Sequence, residues 1–432
     1  MNLSTAVKSI LKLSIPIIIG QLGQMLIVAG DVYIATMYST KSVAAIGVAG
    51  GIINPVFLFG IGLMMGVSPS LAVMRGEGGD EKKSLTSVIV YSAVTGLVLT
   101  FIMLIINEFI GFLGVQEELI PSIKQYISIV AWSFPFAIIF QGMKEYLQSF
   151  EKVFLPNLLA ISAVIINLGL NYLFVFGTEG IPGMGEVGLA YASLAIRIIL
   201  CLCLFIYILK YFPLTKICTD LIRRVFKFSL PIAFMFFLEV LAFCMVSVVS
   251  GGLGVVEAAT NNIIMTIASI SFMIPLSISS AVAVKVGHGH GLKDKPLILA
   301  HMKASVLAAM CYILIAVSTF LFFPVQIMHF MTNDKEVIEL GVKLLFIVAL
   351  FQFSDSLQVI LSGILRGLDD TKTSSYMVFI GYWLIGIPTG LYLAFEMDYG
   401  TEGLWAGLAI SLSMVALALS ILTLKKYRSL RI

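Results

Sequence analysis

Twelve long apolar runs constrain this chain more than any other feature. They lie near residues 13–37, 44–73, 86–110, 122–143, 154–177, 187–209, 228–252, 258–284, 300–323, 340–365, 374–395 and 402–424. A bilayer core of about 30 Å needs a helix of about 20 apolar residues, because lipid offers no partner to an unpaired backbone group. Of the 432 residues 59% are hydrophobic and only 12% charged, against about a quarter charged in soluble domains. The connections between runs are too short to fold as separate domains. The expected fold class is therefore an all-α polytopic membrane protein with about twelve transmembrane helices. The net charge of +3 gives no sign of a nucleic-acid partner, and the bilayer is the expected surrounding. Four of the five cysteines lie in apolar runs and Cys218 in a basic loop, so no disulfide framework is expected.

Orientation follows from lysine and arginine, which collect in cytoplasmic loops. With the N-terminus placed inside, inner loops and tails hold 22 of them. Outer loops hold four: Lys41, Lys124, Lys335 and Lys343. Arg197 falls within a span. Both termini are expected on the cytoplasmic side. Lys8 and Lys12 before an apolar run resemble the start of a signal peptide, but an internal repeat predicts that the first span is retained.

That repeat appears when the sequence is shifted by 215 residues. "KLSIP" at 12–16 falls on "KFSLP" at 227–231, Ala44 on Ala259, and Gly76 on Gly291. "GLAYASLAI" at 188–196 resembles "GLWAGLAI" at 403–410 with one gap. Six spans per half is an even number, so the halves share one orientation. Parallel repeats of this kind are a transporter design, with the substrate site at the interface of the halves. The expected domains are an amino-terminal six-helix lobe, residues 1–212, and a carboxy-terminal one, residues 213–432, around a central cavity.

Three acids stand deep inside apolar runs: Asp31, Glu239 and Asp355. Glu239 is the only charge between Lys227 and Glu257, and Asp355 the only one between Lys343 and Arg366. A carboxylate at the bilayer centre costs about 2.5–3.5 kcal/mol on insertion scales. It must face a cavity, bind a cation or hold a proton, which is the chemistry of a coupling-ion site. The competing reading is that each acid pairs with a buried polar group and only ties helices together. Around Asp355, Gln352 and Gln358 lie three residues to either side, with Ser362 seven on, forming one polar stripe at helical spacing. Gln24 shares a face with Asp31 and maps onto Glu239 under the shift. Phe236 and Phe243 flank Glu239, and aromatic faces beside an acid suit cationic amphipathic guests.

Several stretches together resemble the MATE (multidrug and toxic compound extrusion) transporters, nearest the NorM-like bacterial branch. They are "PIIIGQLGQMLIVAGDVYIA" at 16–35, "LPIAFMFFLEVLAF" at 230–243, "MIPLSISSAVAVKVGHGHG" at 273–291, "FQFSDSLQVILSGILRGLDDT" from 351 and "YWLIGIPTGLYLAF" up to 395. The resemblance implies two six-helix lobes around a central cavity and cation-coupled export of drugs. It implies cation-coupling roles for the acids of the seventh and tenth helices, which match Glu239 and Asp355. The family's first-helix acid matches Asp31. Asn167 and Asn171, in "NLGLN", resemble fifth-helix asparagines that line the amino-terminal lobe. One position departs: where relatives can carry a tyrosine implicated in the cation site, this chain has Phe351. That favours protons over Na⁺, although carboxylate and carbonyl oxygens alone are still able to hold Na⁺.

The expected function is thus a secondary active exporter in a bacterial inner membrane. It exchanges amphipathic cationic drugs or dyes for H⁺ or Na⁺ by rocking of the lobes, as a monomer and without a bound cofactor or metal. The alternative is a flippase for lipid-linked oligosaccharides of the same broader fold, which calls for a basic cavity where this chain has acids. An enzyme is not expected, for lack of a sizeable loop or of converging catalytic groups at an interface. "GEGG" at 76–79 lacks the lysine of a phosphate loop. "GHGHG" at 287–291 reads as a helix stop rather than a metal site, since its histidines are two apart and face different ways. Arg197 is read as structural, pairing with an acid or reaching an interface.

Overall fold

The computed structural model describes residues 2–112, 114–178 and 180–430. Arg431, counted above among the cytoplasmic basic residues, lies outside the described residues. Helices occupy nearly all of the chain. In order they are α1 (Leu3–Tyr38), α2 (Thr40–Met64), α3 (Val67–Gly76), α4 (Leu85–Glu108), α5 (Ile120–Ala131), α6 (Phe134–Ser149), α7 (Phe154–Phe176) and α8 (Glu186–Tyr211). There follow α9 (Thr219–Leu253), α10 (Val255–Gly291), α11 (Lys295–Phe322), α12 (Pro324–Met331), α13 (Lys335–Gly367) and α14 (Thr371–Phe379). The last are α15 (Ile387–Leu391) and α16 (Gly400–Ser429). Two π-helical segments, Ile380–Gly386 and Tyr392–Glu396, flank α15. A small ribbon, Gly177–Thr178 paired antiparallel with Ile181–Pro182, joins α7 to α8.

Eleven helical stretches among the described residues are long and apolar enough to cross a bilayer, and the bent pair α5–α6 makes a twelfth. The twelve spans match the twelve apolar runs in number and order, but the helices are longer than the runs. Helix α1 has 36 residues and α9 has 35. At 1.5 Å per residue each is over 50 Å long, about 20 Å more than the hydrocarbon core. The extra turns carry Lys8 and Lys12 on α1, and Arg223, Arg224 and Lys227 on α9. Hydropathy ends a span where water begins, whereas backbone hydrogen bonding carries the helix on. Both long helices contain a proline, Pro16 and Pro231, the pair that the repeat aligns.

The fourth span breaks at Trp132–Ser133, where α5 and α6 meet at 42°. At the break Val130 O accepts both the Ser133 hydroxyl at 2.5 Å and the Ser133 backbone N–H at 2.9 Å. Beyond it α6 runs on to Ser149, past the apolar run that ends at 143, and buries one more acid. Glu145 accepts hydrogen bonds from Ser68 Oγ at 2.5 Å, Gln141 Nε2 at 3.0 Å and Gln148 Nε2 at 3.4 Å. Counting only Asp31, Glu239 and Asp355 as buried acids is therefore an undercount. Glu145 is a carboxylate whose donors come from α3 and α6, and it clamps those helices together.

By internal contacts the chain forms two compact units. One gathers the N-terminal arm to Ile15, the segment Ala72–Gly78 and the chain from Phe234 onward. The other holds Pro16–Leu71 and Gly79–Ala233. Within the first, α13 packs along both α10 and α16. Gly403 and Gly407, four apart on α16, let it lie against the backbone of 386–394, so close that a Cβ on Gly403 would stand 2.6 Å from Ala394 N. Small residues at such spacing are how helices approach each other in lipid.

Candidate functional site

Each unit buries a cluster of polar side chains around acids that the sequence singles out. In the unit from Phe234 onward the cluster is built on α9, α13 and the segment around α15. Glu239 on α9 is 7% exposed, and its Oε1 accepts a hydrogen bond from the Tyr382 hydroxyl at 3.2 Å. Tyr382 lies in the first π-helical segment, where Gly381, Gly386 and Pro388 weaken the regular ladder. A π-turn widens the helix and turns its side chains off the 3.6-residue face, a device common at functional sites. The next residue, Trp383, donates from Nε1 to Leu238 O at 3.1 Å and ties the π-segment to α9 beside the acid.

Phe243, one turn beyond Glu239, meets three more rings edge-on or tilted. Centroid distances are 5.8 Å to Tyr382, 6.0 Å to Phe351 and 6.3 Å to Trp405, with Phe351 and Trp405 5.3 Å apart. Trp405 donates to Asn261 Oδ1 at 3.0 Å. Asp355 stands one turn after Phe351 on α13 and is 2% exposed. Its Oδ1 has no hydrogen-bond partner, and Glu239 acts on it electrostatically. Tyr382 lies within electrostatic reach of both acids. Among the described residues no cationic side chain acts on either carboxylate. Along the same helix Gln352 donates to Ser356 Oγ at 3.0 Å. Gln352 Oε1, Gln358 Oε1 and Ser362 Oγ are buried without partners. Phe236 is half-buried on α9.

Two buried carboxylates within each other's field, served by one hydroxyl and no cation, are an incomplete electrostatic arrangement. A proton or a small cation placed between them completes it. The hydroxyl missing at Phe351 does not leave the site without a phenol, because Tyr382 brings one from another helix. Tyr382→Phe removes that donor. Hydrogen bonds to charged groups contribute about 1.5–3 kcal/mol, so gradient-driven dye efflux from proteoliposomes is expected to slow about tenfold or more. The melting temperature in detergent should change little. An unchanged efflux rate would show that the phenol takes no part in the site.

The second cluster lies in the other unit. Asp31 on α1 is 8% exposed. Its Oδ1 accepts from Asn171 Nδ2 at 2.6 Å and its Oδ2 from Ser193 Oγ at 3.2 Å. Asn171 also donates to Asn167 Oδ1 at 3.1 Å, one turn back on α7, and Asn167 Nδ2 is buried without a hydrogen-bond partner. Tyr126 on α5 is buried within electrostatic reach of Asp31. Arg197 on α8 is within electrostatic reach of Asp31 and donates from Nη1 to Ser133 Oγ at 2.6 Å. Among the described residues Arg197 forms no ion pair with an acid; its contacts are the Ser133 hydroxyl and the Phe57 ring, 4.8 Å from the guanidinium.

The sequence-predicted residues thus fall into two groups. Asp31, Asn167 and Asn171 join in one cluster; Glu239, Asp355 and Phe243 join in the other, with Gln352 and Gln358 on the helix that carries Asp355. Gln24 is half-buried on α1. Tyr382, Trp405, Ser193 and Tyr126 escaped the sequence reading. The Gly-x-Pro pattern at 386–388 was the one local sign that the helix carrying Tyr382 departs from regular geometry. His288 and His290 stand at the end of α10, as the helix-stop reading predicts.

Twelve spans in two repeated halves, each burying a carboxylate cluster, define a polytopic helical membrane protein of transporter type. A family model, MatE, matches residues 16–173 and 231–392, one stretch in each half of the repeat, and the chain belongs to that family. It is similar to the probable multidrug resistance protein NorM of Photorhabdus laumondii subsp. laumondii, with 29% identity over 98% of this chain and 96% of that one. It is equally similar to the multidrug resistance protein MdtK of Edwardsiella ictaluri, with 29% identity over 96% and 94%. Among solved structures, a mutant of the Vibrio cholerae MATE transporter VcmN shares the fold, with a TM-score of 0.91 at 17% identity over 99% and 98% of the chains.

Proposed function

We propose that the protein is a secondary active multidrug exporter that exchanges amphipathic organic cations for H⁺ or Na⁺. The observation that carries the coupling is the pair Glu239–Asp355, two carboxylates buried together with no cationic partner among the described residues. The names of the relatives NorM and MdtK support drugs as cargo. The rings of Phe243, Phe351, Tyr382 and Trp405 beside the acids suit a guest that is flat, apolar and positively charged. Residues 1–212 and 213–432 are the two lobes that rock, exposing the site to one side of the membrane and then the other. Cargo loads from the cytoplasm and leaves outward; the inbound cation then binds the acids and resets the protein. The membrane potential contributes about 2.3 kcal/mol per charge per 100 mV, enough to make one inward cation per cycle worthwhile. The 22-to-4 distribution of basic residues supports cytoplasmic termini, and the bacterial relatives support an inner-membrane location. A single chain holds both clusters, so a monomer suffices.

The test uses purified wild-type protein in proteoliposomes loaded with a cationic dye, with Na⁺ and pH gradients imposed one at a time. One of the gradients is expected to accelerate efflux several-fold over protein-free vesicles. If neither does, the protein is not a cation-coupled exporter of such dyes, and lipid-linked cargo becomes the reading to test.

A further inference from the structure

In the unit that holds Gly79–Ala233, the junction between α6 and α7 meets the end of α8 in a cluster of rings. Phe212 is buried and packs against Tyr146 and Phe150, with centroid distances of 5.3 and 5.1 Å. Tyr146 and Phe150 are themselves 5.1 Å apart, so the three rings form one fixed base. The chain that follows is tied down as well. Thr215 N donates to Thr86 Oγ1 and Cys218 N to Ser87 Oγ, both at 2.8 Å and both onto the first turn of α4. Two ammonium groups stand on this base. Lys152 Nζ lies 5.0 Å from the centre of the Phe212 ring and 6.0 Å from that of Tyr211, and Lys210 Nζ lies 5.9 Å from the same Tyr211 ring. Both lysines are exposed. Among the described residues neither forms an ion pair with an acid, Glu151 next to Lys152 in the chain included. Phe154, Tyr211 and Leu214, close to them in the chain, are apolar and more than half exposed.

We infer that Lys152 and Lys210 form a docking site for the phosphodiester headgroup of an anionic phospholipid, whose acyl chains lie along Phe154, Tyr211 and Leu214. An aromatic face attracts an ammonium group but carries no net charge. Each lysine therefore keeps its positive charge and its N–H donors for another partner. Both stand at span ends, the depth at which a bilayer has its headgroups and at which aromatic residues collect. Basic pockets between span ends are suited to headgroups of this sign. A soluble phosphate would meet the same lysines but gains nothing from the exposed apolar side chains beside them, whereas a lipid fills both. The ring base separates this pair from the other basic residues of the cytoplasmic side. It holds two cations against one ring before any lipid arrives, which lowers the cost of ordering them on binding. The inference stands on the fold and the span ends alone, whichever cation the protein exchanges and whatever its cargo.

The test measures lipid retained by the purified full chain. Dioleoylphosphatidylglycerol or dioleoylphosphatidylcholine is titrated into the detergent, and bound lipid is counted by native mass spectrometry. A basic residue near an anionic surface contributes about fivefold in affinity, so wild-type protein is expected to prefer phosphatidylglycerol about tenfold or more, and Lys152→Gln with Lys210→Gln to weaken its binding about 30-fold. Lys152→Arg with Lys210→Arg keeps both charges and should retain the lipid. Lys303→Gln with Lys372→Gln removes the same charge from two exposed positions elsewhere and should change nothing. Millimolar inorganic phosphate should not displace the lipid. The inference is overturned if wild-type protein binds the two lipids alike, or if Lys152→Gln with Lys210→Gln binds phosphatidylglycerol as wild type does. It is overturned equally if the arginine pair loses the lipid, or if the control pair loses as much as the glutamine pair at 152 and 210. Displacement by inorganic phosphate would overturn it too, by assigning the lysines to a soluble anion.

Discussion

Asp355→Asn is expected to reduce gradient-driven dye efflux to the leak rate of protein-free vesicles while the protein folds as well as the wild type or better. The two halves of that result have different physical origins. Asp355 is 2% exposed and its Oδ1 receives no hydrogen bond. Asparagine has nearly the same shape and removes a charge that nothing in the fold compensates. Uncompensated burial is among the most expensive arrangements available to a carboxylate, so its removal is expected to leave the melting temperature unchanged or raised. Transport is different. A neutral amide next to Glu239 no longer makes a pair of acids that needs a cation between them. Binding of the inbound ion then loses its main electrostatic term, and with it the step that resets the cycle. A structural acid would show the opposite pattern, with stability lost and transport falling in proportion. Melting curves and efflux rates on the same preparation separate the two.

Gly291→Val is expected to lower stability by about 3 kcal/mol or more and to expose the segment 77–84 to protease. The reason is a crossing of two helix ends that the repeat makes equivalent, Gly76 on α3 and Gly291 on α10. A Cβ on Gly291 would stand 2.8 Å from Gly76 Cα and 3.0 Å from Glu77 N, and would overlap the carbonyl oxygen of Val73. A Cβ on Gly76 would stand 2.7 Å from Leu292 N. These neighbours are backbone, which cannot step aside as a side-chain tip can, and overpacking of this kind costs about 1–3 kcal/mol or more. The same contact carries a hydrogen bond from Arg75 Nε to His288 Nδ1 at 3.4 Å, which separation of the helices would break. Gly169→Ala on α7, where an added Cβ meets nothing within 4 Å, is the matching control and should be neutral to slightly stabilising. Equal melting temperatures and equal cleavage for Gly291→Val and wild type would contradict the packing described.

The membrane fold was legible because its signal is coarse. Apolar runs of bilayer length, six in each half, need no tertiary knowledge to count, and a lone charge such as Glu239 stands out against them. Asp31 was legible from hydropathy, and Asn167 and Asn171 from the family resemblance, but their meeting across α1 and α7 depends on helix packing that neither encodes. What was not legible depended on geometry that hydropathy does not encode. Tyr382 reaches Glu239 because π-helical turns interrupt the eleventh span, and a reading at a period of 3.6 residues has no place for such turns. Glu145 was missed because α6 continues past its apolar run, so a buried acid looked like a loop residue. Arg197 and Asp31 are far apart in the chain, and only the break at Ser133 brings the guanidinium's anchor into place.

The central claim is that one exchangeable cation occupies the pair Glu239–Asp355 and is displaced by cargo. The direct measurement is release of that cation on adding a cationic dye to purified protein, read as H⁺ in weakly buffered solution and as radiolabelled Na⁺ in parallel. Wild-type protein is expected to release one of the two ions in proportion to dye bound, and the protein carrying both Glu239→Gln and Asp355→Asn neither. Full release from that double variant would contradict the account and place the exchangeable ion elsewhere in the chain.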